Sequence, residues 1–397
     1  MMPKKILIIT PRFPLPDTGA CEKDRFEGIK QFKRLGFDVR VVSKVFSFQD
    51  KKDIEKFSAD FGIPVKLLEY ENKFSLRKFF NPFYWDGAAH EYSGKSTQEA
   101  VEAILDEWHP DLVWFDYTYL WPLYGLAGRR KIPIITRSIN FEPDHFLQED
   151  GYSLLNLIKF LPKLASEIIT IYKSDFLFAI TPNEEKIYRR LGAKNIKTLP
   201  LRGLSLCFNS IHGVNNKDIL NVFFMGSTYN VHHNRAALEF ILKKIAPEAR
   251  KKYPLKFKFY ILGSKVPEDL TKFFGEDIIY VGHKNHEALD EFLAGMDIAI
   301  VPSLFGAGMQ QKIFEPLCRG IPAVASLRGL AGYPFEHRKH LLAAETLGEF
   351  PDLLSELRDA GLRRSLSENS VALSKKLFSS QASDSGILKA LNQVWRH

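Results

Sequence analysis

The chain has 397 residues, 45% of them hydrophobic and 26% charged, an ordinary balance for a folded protein and long enough for two domains rather than one core. A formal net charge of +8 favours a polyanionic partner. A diphosphate substrate and an anionic membrane surface come before nucleic acid, for which no zinc-finger, RNP, KH or basic-zipper pattern is present.

No apolar run reaches the roughly 18 residues that a membrane-spanning helix needs. Three scattered cysteines (Cys21, Cys207, Cys318) give neither a disulfide framework nor a zinc site, so a reduced, cytoplasmic setting is expected. The opening MMPKKILIIT is too short in its apolar part for a signal peptide and reads as a first buried strand. A proline-rich loop with Gly19 follows, then an amphipathic helix stopped by Gly36, then the strand DVRVVSKVF.

Residues 50–61 read as a helix and PVKLLEY as a strand. Residues 74–87 (FSLRKFFNPFYWDG) mix basic and aromatic side chains, a composition suited to a membrane interface, to an acceptor-binding loop or to plain packing. Helix 96–108 leads into the strand PDLVWFDY, and KIPIITRSINFE is a further strand running into a polar loop. In that loop Glu142, Asp144 or His145 has the chemistry of a general base for a hydroxyl, or of a helix-start cap. Residues 151–174 form a long amphipathic helical region interrupted by Pro162. DFLFAITPNEEKIYRRLG is strand, turn and acid-started helix, and NIKTLPLRGL is the last strand of the first half.

The polar NSIHGVNNKD reads as a linker, after which the strand–helix rhythm restarts with NVFFMGST and a loop of Tyr229, His232, His233, Asn234 and Arg235. The paired histidines point in different directions on a helix and have no acidic partner nearby, so no metal is expected. LKFKFYILGS is a strand, and DIIYVGHKNHEALDEFLAGM is strand, Gly282 turn and helix. DIAIVPS and IPAVAS are buried strands flanking LFGAGMQQKIFEPLCRG, a glycine-containing loop and short helix stopped by Gly320 and Pro322. That helix therefore begins at the carboxyl edge of a strand, where its N–H groups and dipole favour an anion. Lys312 and Glu315 share one helix face, suited to a phosphate and a ribose diol. A loop, a strand–helix pair and an amphipathic tail helix complete the chain.

GAGMQQKIFEPLCRGIPAVAS resembles the nucleotide-sugar segment of retaining GT-B glycosyltransferases of the GT4-like group. The resemblance implies an α/β fold of two Rossmann-like, doubly wound domains facing across a cleft. Residues 1–205 would be the acceptor domain, 206–218 the linker, 219–380 the donor domain and 381–397 a helix crossing back. It further implies transfer of a sugar from a UDP- or GDP-sugar to a glycan or lipid-linked acceptor in envelope polysaccharide synthesis, without cofactor or metal, and with peripheral contact to an anionic membrane.

Glu315 matches the ribose-holding glutamate. By the same resemblance Gly306, Ala307, Met309, Gln310 and Gln311 would border the donor, and Lys312 with the amides at Gly308 would neutralise its diphosphate. Gly19, Gly226, Ser227, Thr228 and Arg235 are further diphosphate candidates, and Gly282 and His283 border the base. Asn140, Glu142, Asp144 and His145 fall to the acceptor, with Glu142 as base. Two positions depart from the family pattern: Ala307 stands where a first glutamate is usual, and Ile139 where a histidine is. A sugar-nucleotide epimerase of the same architecture and a non-catalytic sugar-nucleotide binder are the alternatives.

Overall fold

The computed structural model describes the chain except residues 1–2, 18, 47–48, 70–80, 82–83, 210–212, 285, 305–308, 310, 331 and 397, and the side chains of 148, 149, 209, 286, 287 and 311. The chain divides into two compact units: residues 1–203 with 380–397, and residues 204–379.

The first unit holds seven strands: β1 (Lys5–Arg12), β2 (Asp38–Lys44), β3 (Val65–Leu68), β4 (Leu112–Asp116), β5 (Ile134–Arg137), β6 (Phe176–Ala179) and β7 (Ile196–Thr198). Their order is β3-β2-β1-β4-β5-β6-β7, and each pairing is parallel. Helices cover both faces, so central strands such as LVWFD and FLFA are buried on both sides and read as unbroken apolar runs.

Helix α1 (Ala20–Arg34) starts at Gly19 and carries Lys33 and Arg34 in its last turn, complementing its dipole. Helix α2 (Leu154–Lys173) runs through Pro162 without a break, contrary to the interruption expected there. The proline removes only the bond to the carbonyl of Ile158, in the exposed half of the helix where water can replace it. Helix α3 (Pro182–Arg190) begins with a full capping box: Glu184 N donates to Thr181 Oγ1 at 3.1 Å, and Thr181 N donates back to the Glu184 carboxylate at 3.3 Å. The tail helix Ser380–Val394 buries Ile387, Ala390, Leu391 and Val394 in this unit's core, beside Phe32 and Trp114.

The second unit has β8 (Leu220–Thr228), β9 (Phe257–Ser264), β10 (Ile278–Gly282), β11 (Ile298–Val301), β12 (Ala323–Ser326) and β13 (Leu342–Ala344). They are ordered β10-β9-β8-β11-β12-β13 and are again parallel. The described part of segment 206–218 belongs to this unit. Cys207 is buried and its carbonyl accepts from the Cys318 thiol at 3.3 Å, while the buried Arg363 guanidinium donates to the Asn215 carbonyl at 2.6 Å. In each sheet the order reverses beside the first strand, at β1/β4 and β8/β11, and those are the points where such folds bind ligands.

One ion cluster locks the first unit. Asp24 on α1 is fully buried and accepts from Arg137 Nε (3.0 Å) and Nη2 (2.9 Å), and from the Arg202 backbone N (2.6 Å) and Nη2 (3.0 Å). Arg137 also donates to the carbonyls of Leu199 and Pro200. Gly28 is required beside it, because a Cβ there would lie 1.9 Å from the Arg202 guanidinium carbon. Burial alone would raise the Asp24 pKa, but the two guanidiniums outweigh it and hold it at about 2, below the usual 3.8. The stabilisation is therefore complete above the usual value and fades as the pH falls from 3.8 towards about 2. Asp24→Asn removes the carboxylate that two buried guanidiniums share, leaving Asp116 at 3.6 Å from Arg202 as the nearest acid, and should cost about 3–5 kcal/mol, read as a lowered melting temperature at neutral pH.

Candidate functional site

The β8/β11 switch of the second unit gathers part of the predicted donor set. Lys312 is the second residue of the helix Gln311–Cys318, and its Nζ donates to Asn234 Oδ1 at 3.3 Å. Asn234, on the helix His232–Phe240, in turn donates to the Thr228 carbonyl at 3.1 Å and to Ser227 Oγ at 3.4 Å. The end of β8 and the start of the later helix are thus joined through one buried amide. The ammonium lies 5.8 Å from the centre of the Phe224 ring, and burial draws its pKa down to about 8. It is a cation at neutral pH, poised to lose its charge just above.

Gly226 and Gly263 let the ends of β8 and β9 close over Tyr229. A Cβ on Gly226 would lie 2.7 Å from that ring, and one on Gly263, whose φ is +141°, would lie 2.4 Å from the Gly226 carbonyl oxygen. Arg235, the neighbour of Asn234, faces solvent and pairs with Glu239 at 3.0 Å and Asp269 at 3.3 Å. Consecutive helical residues point about 100° apart, so only one of the two can turn towards Lys312. Sequence reasoning favoured the permanent charge; the buried amide is the one that faces inward.

Glu315 is buried, and its Oε1 accepts from Arg319 Nη2 at 3.1 Å, while Arg319 Nη1 lies 2.7 Å from Asp290. Gly282 ends the edge strand β10 with φ +82°, the following His283 is exposed, and Met309 is buried. Gly306, Ala307, Gly308, Gln310 and the side chain of Gln311 lie outside the described residues, as does most of the basic–aromatic stretch 74–87.

In the first unit Gly19 caps α1, and the Asn140 carbonyl accepts from Ser138 Oγ at 2.7 Å. Glu142 opens the helix Glu142–Asp150, where burial raises its pKa against the opposing pull of His145 and Lys163. Asp144 is exposed and His145 half-buried. Beneath them sits a second carboxyl that the sequence did not single out. Glu167 is fully buried: its Oε1 accepts from Thr118 Oγ1 (2.9 Å) and the Glu142 backbone N (3.2 Å), and its Oε2 lies 2.6 Å from the Tyr188 hydroxyl.

At the β1/β4 switch a cavity of about 250 Å³ opens. Arg12, Glu22, Arg25, Glu91, Tyr117 and Tyr119 are among the residues lining it. Arg25 is buried and held by the Arg12 carbonyl (2.8 Å) and Thr10 Oγ1 (3.2 Å). The rings of Tyr117 and Tyr119 stack at 5.0 Å, with the Arg25 guanidinium 5.7 Å from the first. Tyr117 has φ +93°, a costly conformation for a residue with a β-carbon, fixed by its N–H donating to the Arg137 carbonyl at 2.8 Å. Burial raises both phenol pKa values, and the negative charge of Glu142, which is not among the residues lining the cavity, adds to the rise at Tyr119. Aromatic faces flanked by charges of both signs suit a hydroxyl-rich ligand, whose groups both donate and accept.

Residues 220–357 match the family model described as glycosyl transferases group 1. No curated sequence relative is detected. Among solved structures the chain is similar to sucrose-phosphate synthase from Thermosynechococcus elongatus (TM-score 0.66, 14% identity, 99% of each chain covered). It is also similar to HepE of Anabaena in complex with UDP (TM-score 0.68, 12% identity, 98% of this chain and 100% of that one). A glycosyltransferase from Rickettsia africae aligns with TM-score 0.69 and 12% identity over 100% of both chains. At such identities the likeness establishes the fold, which is GT-B.

The Glu167 network yields a pH signature. Burial lifts its pKa from 4.5 to about 8, so the folded state keeps a proton that the unfolded chain releases. Stability then falls as pH rises from 4.5 to about 8. Protonated Glu167 can donate from Oε2 to Tyr188, which passes its own hydrogen to Ser138 Oγ at 2.7 Å, and a glutamine amide reproduces that pattern. Glu167→Gln should match the wild type in melting temperature at about pH 5 and exceed it by about 2–6 °C at about pH 9. Equal melting temperatures at both pH values would contradict the assignment.

Proposed function

We propose that this chain, whose residues 220–357 match the model for glycosyl transferases group 1, moves a sugar from a UDP- or GDP-sugar to a glycan or lipid-linked acceptor with retention at the anomeric carbon. The observation that carries this reading is the Lys312–Asn234–Ser227 linkage at the β8/β11 switch, a half-buried lysine in the first turn of a helix. Similar folds solved with UDP or UDP-glucose support a nucleoside diphosphate ligand.

In this mechanism the diphosphate lies against the first turn of the helix Gln311–Cys318. Lys312 and the N–H groups of that turn stabilise the charge that accumulates on it as the glycosidic bond breaks. Asn234 holds the ammonium in place. The positive charge comes from the protein, so transfer should persist in the presence of a chelator. The first unit takes the acceptor in the β1/β4 cavity, with Tyr117 and Tyr119 as a stacking surface and Glu142 as the base for the attacking hydroxyl. Cell-envelope polysaccharide assembly on the cytoplasmic side is the setting this chemistry fits.

Lys312→Ala should lower turnover by about 10²–10³ with little change in melting temperature. Because burial draws the Lys312 pKa down to about 8, kcat/KM should fall as pH rises through that value, and Lys312→Arg should push the fall upwards. Near-normal transfer by Lys312→Ala would overturn the role.

Tyr119→Ala should raise the acceptor KM by about tenfold or more and leave stabilisation by UDP or GDP unchanged, read by thermal shift. Conversion of the donor to a different sugar nucleotide with no acceptor present would mark an epimerase instead.

A further inference from the structure

Acceptor transfer draws on two segments of the first unit, the Tyr117–Tyr119 turn after β4 and the residues that lead from β5 into Glu142, and one buried side chain holds both. Glu167 lies on the inward face of α2 and is fully buried. Its Oε1 accepts from Thr118 Oγ1 at 2.9 Å, between the two stacked tyrosines, and from the Glu142 backbone N at 3.2 Å. The same face of α2 holds the turn twice more. Thr170 Oγ1 donates to the Thr118 carbonyl at 3.1 Å, and Ser166 Oγ accepts from Trp121 Nε1 at 3.1 Å.

The other oxygen acts on the Glu142 segment through a chain of hydroxyls. Glu167 Oε2 lies 2.6 Å from the Tyr188 hydroxyl, Tyr188 donates to Ser138 Oγ at 2.7 Å, and Ser138 Oγ donates to the Asn140 carbonyl at 2.7 Å. Each hydroxyl has one hydrogen to give, so the chain is complete when Glu167 Oε2 carries a proton for Tyr188 to accept. Burial keeps that proton in place at neutral pH, with the pKa lifted to about 8. Glu142 thus has beneath it a neutral group that accepts at one oxygen and donates at the other. Glu184 on α3 takes the preceding amide, Phe141 N, at 3.1 Å. An apolar side chain could fill the place of Glu167 without the cost of a buried polar group, but it could not join these segments.

We propose that Glu167 is a positioning residue for the transfer step. Through Thr118 it sets the Tyr117–Tyr119 surface, and through the Glu142 amide and the Tyr188–Ser138–Asn140 chain it sets where Glu142 stands. This role presupposes that the β1/β4 cavity takes the acceptor, and Glu167 itself touches no substrate.

The test compares Glu167→Gln, which keeps an acceptor and a donor at the two positions, with Glu167→Met, which keeps the length of the side chain and loses both. UDP-glucose serves as donor, and p-nitrophenyl β-D-glucoside, a hydroxyl-rich ring with an aromatic tail, as acceptor probe. Glu167→Met should lower kcat/KM for the probe by about 10–10²-fold, the loss expected when reacting groups are displaced by about 1 Å. Glu167→Gln should return it close to the wild-type value. Two narrower variants separate the holds. Thr118→Val should raise the probe KM more than it lowers kcat, and Tyr188→Phe should lower kcat more than it raises KM. Stabilisation by UDP should be unchanged throughout, because the donor residues belong to the other unit.

Wild-type kinetics in Glu167→Met would overturn the proposal, as would a Glu167→Gln variant impaired as badly as Glu167→Met. Losses that follow each variant's melting temperature, without the split between KM and kcat, would overturn it in favour of a purely structural role. If Glu167→Met does not fold, Thr118→Val and Tyr188→Phe decide through the same split. Hydrogen exchange supplies a readout that needs no turnover: amides of residues 138–142 should exchange at least about tenfold faster in Glu167→Met than in Glu167→Gln, with the rest of the unit alike. Faster exchange spread evenly over the unit would count against the role. Tyr119→Ala separates the premise from the inference. If it leaves the probe KM unchanged, the acceptor site falls and the positioning role with it; if it acts while Glu167→Met does not, only the positioning role falls.

Discussion

A single carboxylate, Asp24, decides whether the first unit can have the shape described. It is buried on α1 and divides its two oxygens between Arg137 at the end of β5 and Arg202 beyond β7, so three distant stretches of chain converge on one charge. It is the carboxylate nearest both guanidiniums, with Asp116 adding a longer contact to Arg202 at 3.6 Å, and a buried ion poorly paired costs far more than a hydrogen bond returns. The arrangement also fixes the neighbouring residue: with Asp24 pinned, Arg25 leaves the same turn of α1 towards the β1/β4 switch. The polar wall of the cavity is thus set by an ion cluster that does not itself line it.

The second unit solves a related problem more sparingly. At β8/β11 one lysine stands beside one amide, and burial makes its charge conditional on pH near neutrality. A cation that is partly desolvated and tied to a neutral partner is well suited to meet an incoming diphosphate, because no carboxylate must first be displaced. Glu315 is engaged differently, being held by Arg319, which also reaches Asp290. Any donor contact by that carboxylate would share it with a buried ion pair.

Much of the fold was legible because parallel strands buried on both faces leave plain traces, as in IAIV and FLFA, and because chain signals at helix ends are local. Pro182 and the acids after it mark a helix start within four residues, and the structure adds a capping box between Thr181 and Glu184. Pro162 shows the limit of such local rules, since one lost hydrogen bond does not break a helix that tertiary contacts hold at Ser166, Glu167 and Thr170.

The site was legible only where it follows one stretch of chain, as with Lys312. Asn234 was overlooked in favour of Arg235 because sequence displays charge but not which way a helix is turned. Arg25, Tyr117 and Tyr119 come together through strand order, and Asp24, Arg137 and Arg202 are 113 and 65 residues apart along the chain. Such groupings carry no spacing that a linear pattern could reveal.

The tail helix has a bearing on synthesis. Ile387, Ala390 and Leu391 complete a core whose other members were translated hundreds of codons before, with the whole of the second unit made in between. While the ribosome is still working, the first sheet waits with an apolar face uncovered and the later unit is free to mature ahead of it. Nascent chains of this protein should therefore depend on protection of their earlier-made part until the helix Ser380–Val394 emerges.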